Sequence, residues 1–537
     1  MGRPEKAKER KMKPPVHVLF PVGLEGGSSR NIMEASSKRY AKVKISERIC
    51  PKCKKRTFYI RCPYCLSSTI PIMICPKCGK ETFNAKCPIC KQPTLPYKEK
   101  NIDIYSELKR ACINLKIQTP PKLIKGVKGL TNAERTPEPI EKGILRARHG
   151  VYVYKDGTIR FDITNAPLTH FKPREIGVTI DKLKQLGYTK DYLGNPLVHE
   201  DQIVELKVQD IIIPLEAAEY LVKVARFIDE LLVKFYKEEP YYNVKRKEDL
   251  IGHVVIGIAP HTSAGVVGRI IGFTKAKVCF AHPYWHAAKR RNCDGDEDAI
   301  ILGLDAFLNF SKSYLPEKRG GLMDTPLVVM VTIDPREVDD EVFNMETCSI
   351  LPLEFYEKSQ EYADPKGVGI KIEKVSDRLG KKEQYEGLKY THPTLSIDLG
   401  PKITAYKKLK TMHEKVEAQM KIAEKIRAVD RKDVAERILT HHFLPDLIGN
   451  LRAFTTQSLR CVKCSTKYER PPLSGKCRKC GGKLVLTVHR KSIEKYLSLI
   501  KKRVKRTLGN DASVYVFGSF LNKRKFKPFL SDIDVLI

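Results

Sequence analysis

Twelve of the sixteen cysteines fall into six Cys-x-x-Cys pairs, and no other feature narrows the possible folds so far. The pairs are Cys50 and Cys53, Cys62 and Cys65, Cys75 and Cys78, Cys87 and Cys90, Cys461 and Cys464, and Cys477 and Cys480. Two residues between sulfurs let both thiolates of one turn reach a single Zn²⁺ at about 2.3 Å, and two such turns complete a tetrahedron. The pairs therefore predict three four-cysteine zinc modules, each a small knuckle that the metal staples together. The first two form an internal repeat, CPKCKKRTFYIRCPYC and CPKCGKETFNAKCPIC, with eight residues between the pairs of each. The third, CVKCSTKYERPPLSGKCRKC, spaces its pairs by twelve. Disulfides and a redox or cluster role are the alternatives; disulfides are disfavoured because the opening MGRPEKAKER lacks the apolar stretch of a signal peptide.

Zinc knuckles name no function, so the rest of the chain must. At 537 residues it is too long for one ordinary core. No apolar run is long enough to span a bilayer, and Lys6 stands where a myristoylation signal needs Ser or Thr. The expectation is a multidomain cytoplasmic protein without a membrane partner. A formal net charge of +35 favours a polyanionic partner, most simply nucleic acid.

Composition shifts divide the chain. Residues 1–44 are basic and turn-rich, with a short strand expected at Val16–Phe20, and residues 45–97 hold the tandem zinc modules. Residues 98–250 read as a mixed α/β accessory or clamp region, in which HGVYVYKDGTIRFDI has the alternation and turn of a hairpin. There, too, Leu215, Tyr220, Leu221, Val224, Phe227, Ile228, Leu231 and Leu232 recur at helical spacing. Residues 251–345 alternate short apolar strands, HVVIGIA and PLVVMVTI, with glycine and proline. Residues 346–455 read as a helical accessory region, 456–486 as the third zinc module, and 487–537 as a basic amphipathic helix with a further short segment.

Chemistry concentrates in AKRRNCDGDED, residues 288–298, where four carboxylates gather in an otherwise basic chain. Asp294 and Asp296 flank Gly295, so a tight turn can aim both carboxylates at one point. Magnesium takes one or two carboxylates plus water and phosphate oxygens, the arrangement by which polymerases activate a 3′-hydroxyl. Lys289, Arg290 and Arg291 then serve to neutralise phosphates, as does Arg269 upstream, and Asn292 orients the turn or a metal-bound water. An EF-hand is disfavoured because Asp305 stands where its bidentate Glu belongs. His253, His261, His282 and His286 read as structural hydrogen-bonding residues, and Trp285 as core.

HPYWHAAKRRNCDGDEDA resembles the catalytic motif of the large subunit of archaeal D-family DNA polymerases. The opening MGRPEKAKERKMKPPVHVLFPVGLEGGSSR, the tandem zinc modules, APHTSAGVVGRIIGF and the third module are similar to that subunit in the same order, over about residues 1–500. The resemblance implies a multidomain α+β protein whose catalytic core is a pair of double-psi β-barrels, related to those of multisubunit RNA polymerases. It implies template-directed DNA synthesis from deoxynucleoside triphosphates on a primer-template, by two-metal nucleotidyl transfer. Asp294 and Asp296 would bind Mg²⁺ or Mn²⁺, and Lys6 and Lys8 of the GRPEKAK segment would sit near the triphosphate. It also implies a small exonuclease subunit as partner.

Two departures shape the expectation. Met1 falls inside the motif that closes the family's first barrel, so the second barrel is expected here with most of the first missing. Either another polypeptide supplies that part or the chain is a fragment of a split or incompletely assembled gene, and weak or no polymerase activity is expected alone. Beyond residue 512, VYVFGSFLNKRKFKPFLSDIDVLI resembles instead the opening of a polymerase-beta-type nucleotidyltransferase, with Gly518 and Ser519 in a turn and Asp532 and Asp534 alternating on a strand. A working second site is not expected from so short a piece, and the family's clamp-recruiting C-terminal motif is not visible. The competing classes are an RNA polymerase-like two-barrel enzyme, which would want a third aspartate in the loop, and a non-catalytic zinc-bearing DNA-binding remnant.

Overall fold

The computed structural model describes residues 8–486, apart from 294, 365–366, 368, 390–394, 400–407 and 465, together with short strands at 515–517 and 534–536. The chain divides into two compact units, residues 1–408 and 409–537.

The first unit opens with a two-residue strand, β1 (Lys8–Glu9). Val16–Phe20, expected as a strand, runs buried but exchanges only scattered backbone bonds with residues 125–127, so no ladder forms. β2 (Tyr40–Ser46) and β3 (Tyr97–Asp103) then pair antiparallel over their whole length, from Tyr40 opposite Asp103 to Ser46 opposite Tyr97. The tandem zinc modules are thus an insertion carried on a two-stranded ribbon. Asp103 caps helix α1 (Ile104–Leu115), accepting from the Ser106 amide, and α2 (Ile140–His149) ends at Gly150 in the left-handed region.

Six strands close into a barrel: β4 (Phe161–Pro167), β5 (Asp210–Pro214), β6 (Val254–Ile258), β7 (Ala264–Thr274), β8 (Cys279–Ala281) and β9 (Glu297–Leu302). Around the barrel the order is β4, β8, β5, β7, β6, β9 and back to β4. The β4–β8 and β5–β7 pairs are parallel and the others antiparallel. Sheet closure leaves no barrel edge unpaired, which is why strands such as DIIIP and VVIGI can be apolar almost throughout. β1 extends the sheet beside β4, and β10 (Val328–Met330) beside β7.

Two of the six strands lie outside the segment expected to form the barrel. β4 and β5 fall within residues 98–250, read from sequence as accessory, because their partners are up to 139 positions away in the chain. The hairpin expected at residues 149–163 is half there. Tyr154 and Thr158 close its turn with a 2.7 Å backbone bond, but only the second arm becomes a strand, pairing with β9 rather than with the first arm. The helical stripe forms as expected in α3 (Leu215–Leu231), whose Tyr220, Leu221, Val224, Phe227, Ile228 and Leu231 are buried against the barrel and α2. Each such side chain contributes roughly 1.5–3 kcal/mol. Two short helices, α4 (Pro283–Ala288) and α5 (Gly303–Asn309), bracket the acidic loop and β9.

The second unit holds helices Met412–Lys425, Arg431–Ile438 and Leu444–Thr455, followed by the third zinc module on a three-stranded sheet. Within the first unit, residues 346–408 are less helical than expected, with a single α-helix, Leu353–Gln360, among the described residues. The strands Tyr515–Phe517 and Asp534–Leu536 pair antiparallel. Gly518, Ser519 and Asp532 lie outside the described residues, as does the amphipathic helix expected before them. No helix among the described residues is long and apolar enough to cross a membrane.

Candidate metal centres and acidic loop

The three cysteine quartets assemble as their spacing predicts. In each, the four sulfurs lie within 4.8 Å of one another. Pairs such as Cys50 and Cys65 (3.4 Å), Cys75 and Cys90 (3.2 Å), and Cys461 and Cys480 (3.5 Å) approach the roughly 3.8 Å edge of a tetrahedron built on 2.3 Å Zn–S bonds. The residue after a Cys-x-x-Cys pair turns the chain in the left-handed region, at Lys54, Leu66, Gly79, Lys91 and Gly481. Its amide then bonds back to the carbonyl of the first cysteine, as from Lys54 to Cys50 at 2.9 Å. Amide donors at Ser67 and Cys78 draw the Cys65 and Cys75 thiols down to about 6, while Cys53 and Cys90 of the same quartets are pushed the other way. Twelve sulfur donors in three tetrahedral sets fit Zn²⁺.

The tandem modules differ in their setting. Phe58 and Tyr59 of the first are buried in the main core, and Arg48 at its root pairs with Glu134 at 2.7 Å. The repeat-equivalent of Phe58 in the second module, Phe83, is 66% exposed.

The acidic loop joins α4 to β9 and is fastened from several sides. Gly295 has φ of +115°, open to glycine and strained for other residues, and nothing lies within 4 Å of a Cβ built there. Conformation, not crowding, requires the glycine. The Asp296 carbonyl accepts from the Asn165 amide of β4 at 2.8 Å. Its carboxylate, 6% exposed as a residue, accepts from the Asn292 amide at 3.3 Å and lies 3.3 Å from Arg291 Nε. Asp294 lies outside the described residues.

The bases around the loop divide. Lys289 is wholly buried, its ammonium 2.5 Å from Asp298, 3.3 Å from His286 Nδ1 and 3.5 Å from the centre of the Trp285 ring. Burial pushes its amine below the ordinary value although Asp298 opposes this. Arg269, on β7, is opposite Asp210 in register and binds its carboxylate through two bonds of 2.8 and 2.7 Å. Both residues, expected from sequence to contact phosphates, pair with buried carboxylates; Lys289 is shut off from solvent, whereas a third of the Arg269 side chain stays exposed. Arg290, exposed, donates to the Glu337 carbonyl, and Arg291 remains a quarter exposed above Asp296.

Sheet register brings the basic N-terminal segment to the same place. Lys8 of β1 is opposite Asp162 of β4, and Asp162 is opposite Ala299 of β9, three residues past Asp296. Residues opposite one another share a face, so Lys8, Asp162 and, two positions along, Thr164 and Glu297 line one side of the sheet. Arg10 is held 2.7 Å from Asp162. Burial raises the Asp162 carboxyl, an effect that nearby Glu297 reinforces and Arg10 and Lys8 oppose. Sequence reading missed Asp162 and Asn165; the alternation of Arg160, Asp162 and Thr164 in RFDIT was the one available signal. Lys6 lies outside the described residues.

Two of the four histidines, His282 and His286, and Trp285 are tied into the fold by hydrogen bonds, as read. His282 Nδ1 accepts from the Tyr284 amide, His286 bonds to the Ala166 carbonyl, and Trp285 donates to the Val267 carbonyl. Burial lowers His282 to about 3.

Comparison with known proteins gives three matches to family models. Residues 117–415 match the catalytic domain of the DNA polymerase II large subunit DP2, residues 1–82 its central domain, and residues 455–505 the zinc finger domain of DNA polymerase-epsilon. Similar proteins include DNA polymerase II large subunits from Pyrococcus furiosus, 58% identical over 94% of this chain and 40% of the relative, and from Archaeoglobus fulgidus, 55% identical over 93% and 44%. That of Methanococcus maripaludis is 50% identical over 100% of the chain and 44% of the relative, an alignment that runs through residues 487–537. The chain spans about two fifths of the length of these relatives.

Proposed function

The chain belongs to the DNA polymerase II large subunit family, and from that premise we propose that it carries the metal-binding part of a template-directed DNA polymerase active site. The observation that carries the reading is the convergence of the acidic loop, β4 and the Lys8 strand on one end of a closed barrel. We read that barrel as the double-psi type.

The donors suit a hard cation. Around the loop they are carboxylate and amide oxygens, which favour Mg²⁺ or Mn²⁺ over Zn²⁺. Buried Asn165 Oδ1 has no hydrogen-bond donor among the described residues and sits beside the Asp296 backbone, where a metal-bound water could donate to it. Asp294 and Asp296 would hold the ion, which when bound supplies activation of a primer 3′-hydroxyl and neutralisation of the departing pyrophosphate. Arg291 balances Asp296 and is exposed enough to turn toward a phosphate. Lys8, with Lys6, would offer charge to the triphosphate, while Asp162 fixes Arg10 and so the strand bearing Lys8. Asn292, through its amide, holds the Asp296 carboxylate in place.

The same reading takes a DNA primer-template and deoxynucleoside triphosphates as substrates. As the relatives are large subunits, it takes a smaller exonuclease subunit as partner, and a sliding clamp as a further one. The test is primer extension with Mg²⁺, using the zinc-loaded chain with a polypeptide supplying the rest of the relatives' length. Extension that disappears in Asp294→Asn/Asp296→Asn supports the proposal. Extension unaffected by that change, or none from a folded assembly that still binds DNA, overturns it in favour of a non-catalytic DNA-binding module.

A further inference from the structure

We propose that Lys289 and Asp298 form a buried ionic staple that sets the shape of the acidic loop, acting as positioning residues for the metal-binding carboxylates and not as ligands. The inference rests on the metal-site reading of Asp294 and Asp296.

The geometry is that of a closure. Lys289 directly follows α4 and Asp298 is the second residue of β9, so the pair joins the two ends of the intervening loop. Both side chains are 0% exposed, and Nζ lies 2.5 Å from Oδ2. Neither can reach a substrate, and the barrel wall is shaped to admit them. A Cβ on Gly257 of β6 would meet Trp285 at 2.5 Å and Lys289 Cδ at 3.2 Å. The ammonium lies over the Trp285 ring, which lessens the cost of taking it out of water. Asp298 is opposite Ile163 in register and so faces the other side of the sheet from Glu297 and Asp162.

Arg291 links the staple to the site. Its Nε lies 3.3 Å from Asp296 Oδ2 and 3.9 Å from Asp298 Oδ1, so one guanidinium spans the candidate ligand and the staple. Stability alone does not call for such a pair. A buried ion pair is often matched or bettered by apolar side chains of similar volume, whereas removing one partner is costly. What an apolar pair cannot reproduce is a charge-to-charge contact that ties the point where the loop leaves α4 to the point where it enters β9.

The experiment compares Lys289→Met/Asp298→Leu with the unmodified full chain, zinc-loaded, by thermal melting and by electron paramagnetic resonance of added Mn²⁺. Melting within a few degrees of the parent, with Mn²⁺ affinity lowered about tenfold, is the expected result. In the extension assay, kcat should fall while the KM for nucleotide stays nearly constant. Parent-like Mn²⁺ affinity in the folded double variant overturns the staple. Should the double variant not fold, Asp298→Asn, which keeps the shape and removes the charge, decides by the same Mn²⁺ titration, where parent-like affinity again overturns it. Asp296→Asn keeps the two readings apart. If it leaves Mn²⁺ binding by the parent unchanged, the metal site itself is misread; if it abolishes binding while the staple variants do not, only the staple falls.

Discussion

At the scale of single residues, two glycines near the site are required for opposite reasons, and substitution should separate them. Gly257→Ala places a Cβ 2.5 Å from Trp285, and overpacking of this kind costs about 1–3 kcal/mol, so calorimetry should show a lowered melting temperature. Gly295→Ala meets no atom within 4 Å but forces a left-handed φ of +115° on alanine. The strain, of order 1–3 kcal/mol, falls on a half-buried loop outside the hydrophobic core, so melting should fall only modestly while Mn²⁺ binding weakens. Residue chemistry was legible in sequence where spacing alone decides it, as at Gly295 and the cysteines. It was not legible for Lys289. In KRR three bases look alike, and only the entry of α4 into the barrel end sends the first inward and leaves the second exposed.

Elements add a second level of asymmetry. The tandem modules are near-copies in sequence, yet Phe58 is in the core and Phe83 in water. Cys50→Ser/Cys53→Ser should therefore lower the melting temperature of the whole first unit. Cys75→Ser/Cys78→Ser should remove one zinc equivalent, measured by metal analysis, with a much smaller thermal effect. Equal thermal effects would mean that the second module is equally integrated. Helix α3 was readable because its 3.6-residue stripe is local. β4 and β5 were not, because a strand buried on both faces has no clear alternation, and its partners are supplied by sequence far along the chain.

For the molecule as a whole, histidines that burial holds neutral, His17, His170, His282 and His286, predict acid sensitivity. Burial lowers His282 to about 3 and His17 and His170 to about 4, against about 6.5 when unfolded. The unfolded chain binds protons that the folded one refuses, so stability is full above pH 6.5 and declines as pH falls toward 4. Each histidine contributes about 1.4 kcal/mol per pH unit in that window. Asp305, raised to about 6 by burial, opposes them with a single proton. Denaturant melts at pH 7 and pH 5 should show the loss, and His282→Gln should reduce it. At this scale sequence gave the polyanion-seeking charge and the order of modules, while the closed barrel emerged only from pairing across the chain.

The barrel's first strand in the chain, β4, meets β9 some 130 residues later. At synthesis rates of about 5–20 residues per second, one edge of β4 waits on the order of ten seconds for its partner. The acidic loop directly precedes β9, so its carboxylates acquire their register only when that last strand docks. Completion of the site is thereby a late step in biogenesis: a half-made chain exposes an open sheet edge to chaperones before it presents an ordered cluster of acids to a metal ion.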